Sequence, residues 1–206
     1  CEGLKEFAHK RWGRLAGELQ RDLKLWLAFM ALLTLCRLSL LIAFHDRVAP
    51  GTGLGQVLLA MVIGLRFDSP VALIWAAPSL LLGMISALAG WKRAALVLRQ
   101  VMTGAFIFAT VCLAVVTYGY FREYGSQFDI HVFGVVEDDF GAVLTTVWKE
   151  YPVVWVVLGM LAFQAGLFLG IRRLGRSPFV PAKRLARLPL PARSALAAAG
   201  VVLLVA

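Results

Sequence analysis

Apolar residues run through this chain in long blocks broken by short charged patches, and the blocks predict helices. Residues 1–24 are the exception, because they mix charge and bulk at helical spacing. Leu4, Phe7, Ala8, Trp12, Leu15, Leu19 and Leu23 fall on one face, with Lys5, Lys10, Arg11, Arg14 and Arg21 around the rest. That pattern predicts an amphipathic helix lying on an anionic membrane surface. Continuous apolar runs follow at about 25–44, 70–89, 101–120 and 153–171. Each is close to the roughly 20 residues needed to cross about 30 Å of hydrocarbon. A last run, 194–206, is too short to cross and reads as an incomplete fifth span. The expected fold class is therefore all-α: a polytopic membrane bundle of five spans, the fifth truncated, behind an N-terminal amphipathic helix.

Between the first two long runs, residues 54–65 are apolar but short, which predicts an interfacial or re-entrant helix. Ser69-Pro70 then reads as a fresh helix start, with Ser as N-cap and Pro in the first turn. Pro78 predicts a kink within the second span. The Gly51–Gly55 stretch lacks both the preceding strand and the Gly-Lys-Ser/Thr ending of a phosphate loop, so it reads as a turn.

Composition agrees: 60% of residues are hydrophobic and 16% charged, against about 45–50% and 25% in soluble domains. The net charge of +9 suggests nucleic acid until its distribution is considered. Of 21 Lys and Arg, 16 lie in residues 1–24, 90–100 and 172–193, which five spans place on one side. Arg47, Arg66, Arg122 and Lys149 lie on the other, with eight of the 12 acidic residues. The excess of basic residues on the cytoplasmic side of bacterial inner-membrane proteins puts the N-terminus in the cytoplasm and accounts for the +9 without nucleic acid. Trp26 and Trp91 are expected at the inner interface, and Tyr118, Tyr120, Phe121, Trp148, Tyr151 and Trp155 at the outer one.

Candidate chemistry is sparse. Arg37 stands within the first span, where an arginine is costly unless paired, and Asp68 is a natural partner. Arg66 and Asp68 flank the expected helix break and are candidates for holding a lipid head group. In the long polar stretch 121–150, Glu123, Tyr124, Phe128, Asp129, His131, Asp138 and Asp139 include possible hard-metal ligands, although solvated or capping carboxylates are the commoner case. No nucleophile–base pair is identifiable, no catalytic residue is assigned, and the three cysteines have no zinc spacing.

Several of these stretches, in order, resemble the N-terminal membrane region of the lipoteichoic-acid-synthase-like phosphoglycerol transferases, a sulfatase-fold family that includes the osmoregulated-glucan phosphoglycerol transferases. They are Leu35-Cys36-Arg37-Leu38, Gly64-Leu65-Arg66-Phe67-Asp68 and Tyr120-Phe121-Arg122-Glu123-Tyr124-Gly125. Phe128-Asp129, Phe133-Gly134, Asp138-Asp139 and Lys149-Glu150-Tyr151-Pro152-Val153 continue the series; Ser126-Gln127 departs from it, where many relatives carry an arginine. The resemblance implies five spans followed by an extracytoplasmic catalytic domain. There a threonine nucleophile on a divalent metal, commonly manganese, moves phosphoglycerol from phosphatidylglycerol to a glycan or polyglycerolphosphate acceptor. None of that domain lies in these 206 residues, and the first residue is Cys1, so the expectation is a membrane anchor that is inactive alone. A phosphoethanolamine transferase anchor shares the layout. A small transporter or channel, or a non-catalytic assembly subunit, stands as the alternative from a different class.

Overall fold

The computed structural model describes residues 2–125, 141, 145, 148, 149 and 152–175, with side chains from Gly13 onward except those of Leu88 and Glu123. Helix is the only regular structure among them. Four long helices follow one another: α1 (Glu2–Ala43), α2 (Leu54–Ala89), α3 (Lys92–Tyr124) and α4 (Val153–Leu174). A single 3₁₀ turn, His45–Arg47, lies between the first two. At 1.5 Å per residue the shortest, α4, is about 33 Å long and α1 about 63 Å. All four are long and apolar enough to cross a membrane.

Side-chain contacts fix an up-down-up-down order. Arg37 meets Asp68 and Asp22 meets Ser79, so α1 and α2 are antiparallel. Phe29 stacks on Phe106, and Phe44 meets Phe121 at a tilt, so α1 and α3 are parallel. The end where α1 and α3 begin is termed proximal, and the end where they finish distal. Glycines close two helices: Gly90 after α2 and Gly125 after α3 both have positive φ (86° and 71°), and each N–H returns to a carbonyl four residues back.

Two expectations need correction. α2 does not restart at Ser69-Pro70; it runs unbroken from Leu54 through Pro70 and Pro78. The reason is visible in its buried residues. Gly64, Asp68, Ala72, Ala76, Ser79, Gly83, Ser86 and Ala87 recur at intervals of three and four and form one buried stripe. That stripe crosses Pro70, which is itself on the exposed face. Packing along it outweighs the one backbone hydrogen bond that proline removes. Trp26, expected at an interface, instead sits in the core at 7% exposure, its indole N–H directed to the Ser69 carbonyl at 3.5 Å. Residues 1–24 also continue without a break into the first span as one helix.

The core lies among α1, α2 and α3: Leu25, Phe29 and Leu32 pack against Ala72 and Ala76 and against Phe106, Ile107 and Val111. The Phe29 and Phe106 rings stack with centroids 3.9 Å apart, in a cluster to which α2 contributes Ala72 and Ala76 and, edge-on to Phe106, Trp75. α4 is peripheral and contains no buried residue. Burial is reversed relative to a water-soluble protein. Asp22, Ser79, Ser86, Arg99, Thr103 and Thr110 are inside, whereas Leu54, Ile74, Leu113, Trp155 and Phe163 are more than half exposed. An apolar surface, with polar and charged side chains turned into the bundle beside its apolar core, is the arrangement that lipid favours. The chain is therefore a multi-pass membrane protein.

Candidate functional site

Two clusters of charge are built into the bundle. The distal one joins α1 to α2. Arg37 Nη2 donates to Asp68 Oδ1 at 2.8 Å, and Asp68 is 8% exposed. A Cβ at Gly64, one turn before Asp68, would overlap the Arg37 guanidinium, so glycine is what allows the arginine to lie across α2. Asp68 Oδ2 is buried without a hydrogen-bond partner among the described residues. Nearer the distal tip, Arg47 donates to the carbonyls of Phe121 at 2.7 Å and Arg122 at 3.1 Å. Its guanidinium lies over the rings of Phe44 and Phe121 at 5.5 and 5.6 Å. A cation on the last carbonyls of a helix opposes the negative end of its dipole, so Arg47 closes α3 from the neighbouring loop.

The proximal cluster joins three helices. Arg99 of α3 donates through Nε to Asp22 Oδ1 at 2.9 Å and through Nη2 to Glu18 Oε2 at 3.0 Å. Ser79 of α2 donates to the same Asp22 oxygen at 2.8 Å, and Arg21 donates to Glu18 Oε1 at 2.6 Å. A Cβ at Gly83 would come within 2.9 Å of Asp22 Oδ2, so the carboxylate again reaches its partners over a glycine. Asp22 and Arg37 are 15 residues apart, about 22 Å along α1. The hydrocarbon layer is about 30 Å thick, so the two clusters cannot both lie in the head-group layers. Both lie on helices long and apolar enough to cross a membrane, where an unpaired charge would cost more than a paired one.

Sequence reading paired Arg37 with Asp68, and that pair is present. It also grouped Arg66 with Asp68, and these are separated: two helical positions apart, Arg66 is exposed while Asp68 faces α1. Tyr124 is exposed at the end of α3, stacked on Tyr120 at 4.6 Å. Glu123 lies in the same helical turn, its side chain outside the description, and Phe128, Asp129, His131, Asp138 and Asp139 lie outside the described residues. So do the expected fifth span and most of the basic connector. Among the described residues no three His, Cys, Asp or Glu side chains gather where a metal could sit.

The Asp22–Arg99–Glu18 network was not anticipated. Its signal was available: Glu18 and Asp22 are four apart on one face of α1, and Arg99 stands seven residues after the start of α3. Nothing in the spacing says that these faces meet. No known protein family, curated protein or solved structure matches the chain.

Proposed function

We propose that this chain is the membrane region of a sulfatase-fold phosphoglycerol transferase, with its N-terminus in the cytoplasm and its distal end on the outer face of the bacterial inner membrane. The observation that carries the reading is the Arg37–Asp68 pair over Gly64. It brings together two of the ordered motifs that carry the family resemblance, although Arg37 and Asp68 are 31 residues apart. A third motif, Tyr120–Gly125, ends α3 on the same side of the bundle and is capped by Arg47. The motifs thus gather toward the end that the charge distribution assigns to the outside. Phosphatidylglycerol is the donor on this reading, and the chemistry belongs to a metal-dependent extracytoplasmic domain rather than to the helices.

The test is reconstitution of the protein from its complete reading frame into phosphatidylglycerol vesicles with manganese, followed by measurement of diacylglycerol release. The complete protein is expected to release it and residues 1–206 alone are not. Release by residues 1–206, or none by the complete protein, would overturn the proposal. Release from phosphatidylethanolamine instead would reassign the head group. One observation favours a transporter: Glu18, Asp22 and Arg99 add charges to a bundle in which the sequence displayed only Arg37 as intramembrane. Ion or solute flux through vesicles carrying the purified chain distinguishes that reading.

A further inference from the structure

A cavity of about 330 Å³ lies beside the proximal cluster, between α1, α3 and α4, and reaches the end of α4 at Leu174 and Gly175. It has room for about ten waters, at about 30 Å³ each. Half of its lining is polar: Arg21, Lys24, Arg99, Gln100, Thr103 and Arg172. Arg99 is 8% exposed, and Nη1 is buried without a hydrogen-bond partner among the described residues, whereas Nε and Nη2 hold Asp22 and Glu18.

Depth decides what such walls can face. Lys92 begins α3, and Thr103 lies about 16 Å further along it. The cavity therefore extends well into a helix long and apolar enough to cross a membrane. Hydrocarbon against these walls would strip the guanidinium groups of water, and ion pairing does not abolish that cost. Charges within spans face the bundle interior or a water-filled cavity, and hydration is required whichever partners each cation holds.

The inner end of the cavity is apolar. Phe168 lines it, with its ring 3.8 Å from where a Cβ on Gly104 would stand. One turn beyond Thr103, Phe106 stacks on Phe29, and Trp75 meets the edge of Phe106. Phe29 lies between Asp22 and Arg37 along α1, so these rings separate the cavity from the Arg37–Asp68 pair.

We infer that the cavity is a water-filled vestibule, open to the aqueous phase at the proximal end and closed toward the distal end by Phe168 and the Phe29–Phe106 stack. Through it, water and small hydrophilic solutes reach the Asp22–Arg99 pair from one side only. The vestibule does not depend on the transferase reading.

Cysteine accessibility in lipid nanodiscs, where both faces of the bilayer meet solvent, tests it. With Cys1, Cys36 and Cys112 replaced by alanine, single cysteines are treated with sulfonatoethyl methanethiosulfonate, a charged reagent that does not enter hydrocarbon. Gln100→Cys and Thr103→Cys are expected to react within about tenfold of the exposed Lys92→Cys, since hydration preserves the reactive thiolate. Val101→Cys, 54% exposed on the outer face of α3, and Thr110→Cys, buried beyond the stack, should react at least about a hundredfold more slowly, because apolar surroundings suppress the thiolate. Ile171→Cys, on the α4 wall, should behave as Thr103→Cys and repeats the test on a different helix. Cavity cysteines as slow as Val101→Cys would overturn the inference, and so would Thr110→Cys as fast as Thr103→Cys. Rates should be equal in phosphatidylcholine and phosphatidylglycerol discs. Protection of Thr103→Cys by phosphatidylglycerol alone would give the cavity to a lipid head group and overturn the vestibule.

Discussion

The two buried aspartates of this bundle, Asp22 and Asp68, are each held against an arginine, and their energetics follow from what surrounds each one. Arg37→Leu leaves Asp68 facing α1 without its cation, with one oxygen already unpartnered. A buried group stripped of its hydrogen bond costs about 1–3 kcal/mol. The single variant should therefore unfold at lower temperature in detergent, and Arg37→Leu/Asp68→Ala should recover most of the loss, because removing both partners leaves no orphaned charge. A double variant as unstable as the sum of the singles would contradict the pairing. Gly83→Val is expected to be more damaging than either, since even a Cβ there presses on Asp22 Oδ2 and thereby on the Arg99 contact. Sequence could suggest Arg37 and Asp68 as partners because a span holds few charges. It could not give the roles of Gly64 and Gly83, which depend on which face of α2 meets α1.

At the scale of elements, the apolar runs were legible and the punctuation between them was not. The spans about 101–120 and 153–171 fall inside α3 and α4. Ser69-Pro70 carries the local signal of a helix start, yet α2 passes through it because a buried stripe of small residues on both sides packs against one neighbouring surface. Local signals lose to continuous packing when the proline ring points away from the contact. Pro70→Ala is expected to leave the fold intact and to raise stability by up to about 3 kcal/mol, the cost of proline within a helix. A protein destabilised by the change would favour a functional break at that point. Trp26 shows the converse error: interface preference is an average over tryptophans, whereas this one fills space beside the alanines of α2 and finds an acceptor in the Ser69 carbonyl.

For the whole molecule, four up-and-down helices expose much of their leucine, isoleucine and phenylalanine while aspartate, arginine and serine are buried beside the apolar core. This reversal needs lipid around it, and it agrees with composition alone. The proposed orientation rests on the sequence distribution of basic residues, 16 of 21 of which fall in residues 1–24, 90–100 and 172–193. The two possible orientations differ in which end meets the outside: the distal end, with Arg37–Asp68 and the Arg47 cap, or the proximal end, with the Glu18–Asp22–Arg99 cluster. The direct measurement uses single cysteines in a background where Cys1, Cys36 and Cys112 are replaced by alanine. Thr52→Cys lies between α1 and α2 at the distal end, and Lys92→Cys opens α3 at the proximal end; both positions are exposed. In intact cells whose outer membrane has been made permeable, a maleimide that cannot cross the inner membrane should label Thr52→Cys at once and Lys92→Cys only after that membrane is opened. Labelling of Lys92→Cys first would invert the bundle, put the Glu18–Asp22–Arg99 cluster nearer the outside and contradict the account.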